Sequence, residues 1–211
     1  MAAAPGLRVR APRPVARALV AALLLGGIGQ DAAAQALAPA AERFAVCLAC
    51  HGAGGVSQLP LTPSLAGQPS FYAITQLFLF REGRRSSEAM TAVAKGMSDA
   101  DLRAFSDLIG KLPPPPPPAA TAGDPARMAR GAVLAERFRC VSCHGGDFAG
   151  SPQVPRLAGQ REDYLAKALA EFRAGTRLGY TSAMTEALAG IAPDDIAVLA
   201  SYLAQLPKTG P

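Results

Sequence analysis

Outside two pentapeptides this 211-residue chain has no cysteine and no histidine. Cys47, Cys50 and His51 with Cys140, Cys143 and His144 exhaust both residue types. A third histidine to serve as distal ligand or general base is therefore excluded, and so is any spare nucleophilic thiol. Tryptophan is absent and aromatic residues make up only 6% of the chain, so large rings do little to fill a core. There is no block of like charge that would mark a nucleic-acid tail. No apolar run approaches the roughly 20 residues needed to span a bilayer.

What is present is the pentapeptide CxxCH, twice, at residues 47–51 and 140–144. In a helical turn two thiols at i and i+3 and an imidazole at i+4 share one face, which suits two thioether bonds to haem vinyl groups and an axial nitrogen on the iron. Zinc and disulfide readings of four cysteines compete with this. A four-thiolate zinc site must join distant pairs and leave each following histidine as coincidence. A thioredoxin-like site needs one CxxC on a strand-rich background, which this pattern lacks. Two covalently bound haem c groups are the expectation, with His51 and His144 as proximal iron ligands.

The N-terminus carries Arg8, Arg10, Arg13 and Arg17, then a short apolar run over residues 18–29, then the small residues Ala32, Ala33 and Ala34. This is the pattern of a cleavable secretory signal peptide, assigned to residues 1–34. Without its four arginines and one aspartate the formal charge falls from +5 to +2, and haem propionates lower it further. A nucleic-acid partner has no electrostatic support. Haem attachment to an exported chain places the mature protein in a bacterial periplasm.

Six consecutive prolines, residues 113–118, neither continue a helix nor join a sheet. They are the core of a linker over 113–126, separating domains at 35–112 and 127–211. As polyproline II they would reach roughly 19 Å and act as a semi-rigid spacer. The two domains repeat each other. Pro63-Ser64-Leu65-Ala66-Gly67-Gln68 returns as Pro155-Arg156-Leu157-Ala158-Gly159-Gln160, and Phe80-Arg81-Glu82-Gly83 as Phe172-Arg173-Ala174-Gly175. The repeat also pairs Met90 with Met184, while Met97 aligns with Ile191 and Met128 precedes the second haem motif. With no spare histidine or cysteine, the sixth iron ligand falls to a methionine thioether, and Met90 and Met184 are the matched pair.

The pattern is all-α. Helices are predicted over 40–48 and 129–141 into the haem motifs, over 71–80 and 164–172, and as a closing amphipathic helix in each domain. Leu102, Phe105, Leu108 and Ile109 mark the inner face of the first closing helix, and Ile196, Leu199, Tyr202 and Leu203 that of the second. Ser98 and Pro193 suit their first turns. Roughly 80 residues per domain is small for a self-sufficient core, so covalent haem serves as the missing apolar interior. Arg81, Arg85, Arg173 and Arg177 recur in both halves and suit either haem propionates or solvated helix ends. Tyr72 aligns with Tyr164 and suits either a propionate bond or simple packing.

Two CxxCH domains in tandem, each continuing with PxLAGQ, an aromatic-bearing helix, an FRxG turn, a matching methionine and a terminal amphipathic helix, resemble the dihaem cytochrome c4 family over essentially the whole mature chain. The resemblance implies two class I cytochrome c folds, His/Met ligation at both irons and soluble electron transfer. It assigns Cys47, Cys50, His51 and Met90 to one haem and Cys140, Cys143, His144 and Met184 to the other. It also implies that the carbonyls of Pro63 and Pro155 accept the proximal imidazole protons. The expected role is a respiratory electron carrier, from a quinol-oxidising complex to a terminal oxidase, with peripheral association with membrane complexes and no substrate chemistry. The alternatives are a haem c subunit of a periplasmic dehydrogenase and a dihaem peroxidase-like enzyme. Peroxidase chemistry lacks its distal histidine here.

Overall fold

A computed structural model describes residues 1–2, 39–115, 124–177 and 182–206. Residues 3–34 of the predicted signal peptide and the later part of the proline run lie outside the described residues. Ala40–Pro211 forms one compact unit. Its described residues contain nine α-helices and no strand, only an isolated bridge between Ser151 and Val154. The all-α expectation holds.

In the first half, α1 (Ala40–His51) carries the first haem motif and is followed by a 3₁₀ turn (Ala53–Gly55), α2 (Ser70–Arg81), α3 (Glu88–Ala94) and α4 (Asp99–Gly110). The second half repeats the order as α5 (Pro125–Arg137), α6 (Val141–His144), α7 (Glu162–Arg173), α8 (Ala183–Leu188) and α9 (Pro193–Gln205). In each half the closing helix packs against the first helix and against the one after the PxLAGQ loop. Phe44, Leu77, Leu102, Phe105 and Ile109 are buried at the first crossing, where the rings of Phe44 and Phe105 lie 6.4 Å apart. Leu134, Leu165, Leu199 and Leu203 fill the second.

Helix ends follow local chemistry. Ser98 caps α4 in a reciprocal box with Asp101, so two orphan N–H groups of the first turn are satisfied. Asp124 accepts from the Ala126 N–H at 3.0 Å, and Pro125 and Pro193 occupy first-turn positions where a missing N–H costs nothing. Two short helices, α3 and α8, carry Met90 and Met184 and were not anticipated, because six or seven residues show no readable periodicity.

The second haem motif departs from expectation. The pattern predicts a single helix over 129–141, but α5 stops at Arg137 and Arg139 turns left-handed at φ 55°. The Cys140 N–H donates to the Ala135 carbonyl and the Arg139 N–H to that of Glu136, both at 2.9 Å. This is a Schellman closure with arginine where glycine is usual, and no glycine advertises it in the sequence. The first motif, by contrast, sits inside one unbroken helix.

The halves pack on each other directly. Pro115 is buried, and Pro114 lies against Gly67. The described start of the proline run therefore lies in the seam between the halves instead of holding them apart.

Two predictions concern stability. A Cβ on Gly131 would stand 2.3 Å from the Cβ of Tyr202, where α5 crosses α9. Gly131→Ala is expected to destabilise the second half by about 1–3 kcal/mol, read as a lower melting point. Asp101 is drawn down from 3.8 to about 2, first by its hydrogen bond from Arg43 of α1 and then by the Ser98 N–H. Because the folded value is depressed, its stabilisation is complete above the ordinary carboxylate value and is lost as pH falls through about 2. Asp101→Asn is expected to lower the urea midpoint at neutral pH and to flatten its decline in acid.

Candidate haem sites

The two candidate proximal histidines are placed by two loops that share a sequence. His51 ends α1 and His144 ends α6, and both are buried, at 6% and 4% exposure. In each half the PxLAGQ loop folds back so that a proline carbonyl meets the imidazole. His51 Nδ1 lies 2.8 Å from the Pro63 oxygen, and His144 Nδ1 lies 3.0 Å from that of Pro155. A carbonyl only accepts, so Nδ1 carries the proton and Nε2 keeps its lone pair. Burial lowers both imidazole pKa values, against the opposing pull of the proline carbonyls. Neutral imidazole with Nε2 free is the form that ligates iron.

Cys47 and Cys140 are half-buried against the two cores, whereas Cys50 and Cys143 are exposed. No disulfide joins any of the four. Burial pushes the Cys47 and Cys140 thiols up, the reverse of an activated thioredoxin-type cysteine. Among the described residues no group of three or more His, Cys, Asp or Glu is gathered as a metal cluster, so the two CxxC pairs are not assembled into one zinc site. Two thiols, one oriented neutral imidazole and an adjoining apolar core are the donor set and surroundings that covalent haem c requires, and each half supplies them.

Met90 lies in the first turn of α3, its N–H donating to the Ser87 hydroxyl at 3.3 Å, and packs on the core that Cys47 also touches. Met184 lies at the start of α8 and packs on the core that Cys140 touches. Met97 packs on the first core as well. Its repeat counterpart, Ile191, is among the most deeply buried side chains, which fits core filling at both places.

The four recurring arginines separate into two kinds. Arg81 pairs with Glu82 and Asp99, and Arg173 Nε donates to the Ile191 carbonyl at 2.8 Å. Arg85 and Arg177 instead converge on one phenol: their Nη2 groups donate to the Tyr164 hydroxyl at 2.7 and 3.0 Å. Arg85 comes from the first half and Tyr164 from the second, so this cluster spans the seam. Burial pushes Tyr164 up, but the two guanidiniums outweigh it and the net shift is down.

The final glutamine of PxLAGQ recurs in both repeats, and the sequence alone assigns it no task. Gln68 and Gln160 are buried, at 7% and 6% exposure, and each grips the backbone of the opposite half. The recurrence was the available signal. A contact across the seam was not readable from it.

Residues 128–207 match the family model described as cytochrome c. A cytochrome c4 of Pseudomonas aeruginosa is 36% identical over 86% of this chain and 94% of its own length. A protein of Thiomonas intermedia named thiosulfate dehydrogenase electron acceptor is 33% identical over 79% of each chain. The crystal structure of reduced recombinant cytochrome c4 from Pseudomonas stutzeri superposes with a TM-score of 0.71 at 32% identity, covering 79% of this chain and 96% of that one.

With one haem assigned to each motif as an expectation, Cys140→Ala combined with Cys143→Ala is expected to leave one covalent haem per chain. Pyridine haemochrome absorbance against protein mass measures this, and retention of two would refute the attachment sites.

Proposed function

This chain belongs to the dihaem cytochrome c4 family, and from that premise we propose that it carries electrons in the periplasm from a quinol-oxidising complex to a terminal oxidase. The observation that carries this reading is the pair of proximal histidines, each neutral, buried and held by a proline carbonyl at 2.8 or 3.0 Å. Haem c, when bound, supplies a one-electron ferric–ferrous couple. The chain's part is to hold that couple still. His51 and His144 present a fixed Nε2, and the packed cores restrict the position of Met90 and Met184, the proposed sixth ligands. Ligands that keep their places in both oxidation states favour rapid transfer, and a thioether raises the potential.

Assignment to the periplasm rests on the signal-like N-terminal pattern. Among the described residues no helix is long and apolar enough to cross a membrane. A second donor is supported by the relative named as a thiosulfate dehydrogenase electron acceptor: in that version a periplasmic dehydrogenase, not a quinol-oxidising complex, reduces the same two sites. Peroxidase-like chemistry has less support, because the sequence has two histidines in all, one in each haem motif, and so none to serve as a distal base.

The test is the carbon monoxide difference spectrum of the reduced, haem-loaded protein. No adduct is expected in the wild type. Met90→Ala and Met184→Ala are each expected to open one of two irons to carbon monoxide and to lower the potential of that haem. An adduct in the wild type would favour an enzyme, and closed irons in both variants would remove the methionine assignment.

A further inference from the structure

The two PxLAGQ loops are interlocked. Gln160 of the second half takes the Ser64 N–H on its Oε1 at 2.7 Å and donates its Nε2 to the Ser64 carbonyl at 2.9 Å. Gln68 of the first half treats Arg156 the same way, accepting its N–H at 3.2 Å and donating to its carbonyl at 3.0 Å. Gln160 Oε1 also accepts the Arg161 N–H at 3.0 Å. Reversing either side-chain amide would set donor against donor and acceptor against acceptor, so the orientation is fixed by the partners.

Ser64 and Arg156 are the residues directly after Pro63 and Pro155. The Ser64 N–H therefore belongs to the same resonant amide as the Pro63 carbonyl, the acceptor of the His51 proton. The continuous path runs from Gln160 Oε1 through the Pro63–Ser64 peptide to His51 Nδ1. Its mirror runs from Gln68 Oε1 through the Pro155–Arg156 peptide to His144 Nδ1. Hydrogen bonds in a buried chain polarise one another: an N–H that donates makes its own carbonyl a better acceptor. A better acceptor draws the imidazole proton further and makes Nε2 more basic, which favours the ferric state.

We infer that Gln68 and Gln160 are crossed positioning residues, each tuning the proximal histidine, and hence the potential, of the haem in the opposite half. Serine or arginine at the intervening position is immaterial, because only backbone atoms are gripped. The seam retains other bonds when one glutamine is lost. The Leu61 N–H donates to Asp163 Oδ2 at 3.0 Å, Arg85 to Tyr164 at 2.7 Å, and Arg161 to the Ser57 carbonyl at 3.3 Å.

This rests on His51 and His144 being the proximal ligands. A wild-type protein without the low-spin His/Met absorption of two haems would end that reading before any glutamine is changed. The test follows each haem of the full, loaded protein separately during a redox titration, through hyperfine-shifted haem methyl proton signals assigned to their halves. Gln160→Leu is expected to raise the potential of the first-half haem. The ferrous-to-ferric ratio at fixed ambient potential should rise about threefold, which is about 30 mV at 59 mV per tenfold for one electron. The second-half haem should stay in place. Gln68→Leu should do the reverse. The shorter, still polar Gln160→Asn and Gln68→Asn should give the same crossed pattern in smaller size and serve if a leucine variant fails to load haem. Movement of the haem in the mutated half, equal movement of both, or movement of neither overturns the inference.

Discussion

Each half of this protein is organised around one short hydrogen bond, from a histidine Nδ1 to a proline carbonyl, at 2.8 Å in one half and 3.0 Å in the other. Proline has no N–H of its own, so residues 63 and 155 each offer only an acceptor at this point. The bond fixes the imidazole tautomer and ring plane, and it ties the end of the motif helix to the loop that leads into α2 or α7. Burial of the histidine, the return of the chain and the position of the next helix all follow from that closure.

Small size explains why the closure matters. The buried clusters of the described residues are modest, with six side chains at the heart of the first half. Interiors of this size stabilise weakly by themselves. Covalent haem adds apolar volume to each, and the seam adds a polar interface whose members are paired. Ser64, Gln68, Arg156 and Gln160 are all buried and all bonded, which avoids the penalty of an unsatisfied group away from water.

Much of this was legible in the sequence, for identifiable reasons. Covalent chemistry demands a fixed spacing, so Cys47, Cys50 and His51 and their counterparts stand out as candidates in the sequence. The closing helices have long apolar stripes, and Leu102, Phe105, Ile109, Ile196, Leu199 and Leu203 are buried as periodicity predicted. The break before the second motif was hidden because Arg139 carries a backbone turn usually marked by glycine. The glutamine grips were hidden for another reason. They are contacts between residues 88 or 96 positions apart, and a repeat reveals that a residue is used twice without revealing that its two copies serve each other's halves. Likewise Arg85 and Arg177 looked like Arg81 and Arg173 until the fold brought the first pair to Tyr164.

The start of the proline run has a consequence for how the halves fit. Gly67, at φ +69°, leaves no Cβ, and Pro114 occupies that space, with its Cα only 2.9 Å from where the Cβ would be. The registry between the halves is thus set at residues 114 and 115 and by the side chains of the seam, before most of the connecting segment has begun. Any side chain at residue 67 would have to displace Pro114 from this seam, so the fit between the halves leans on the absence of a single methyl group.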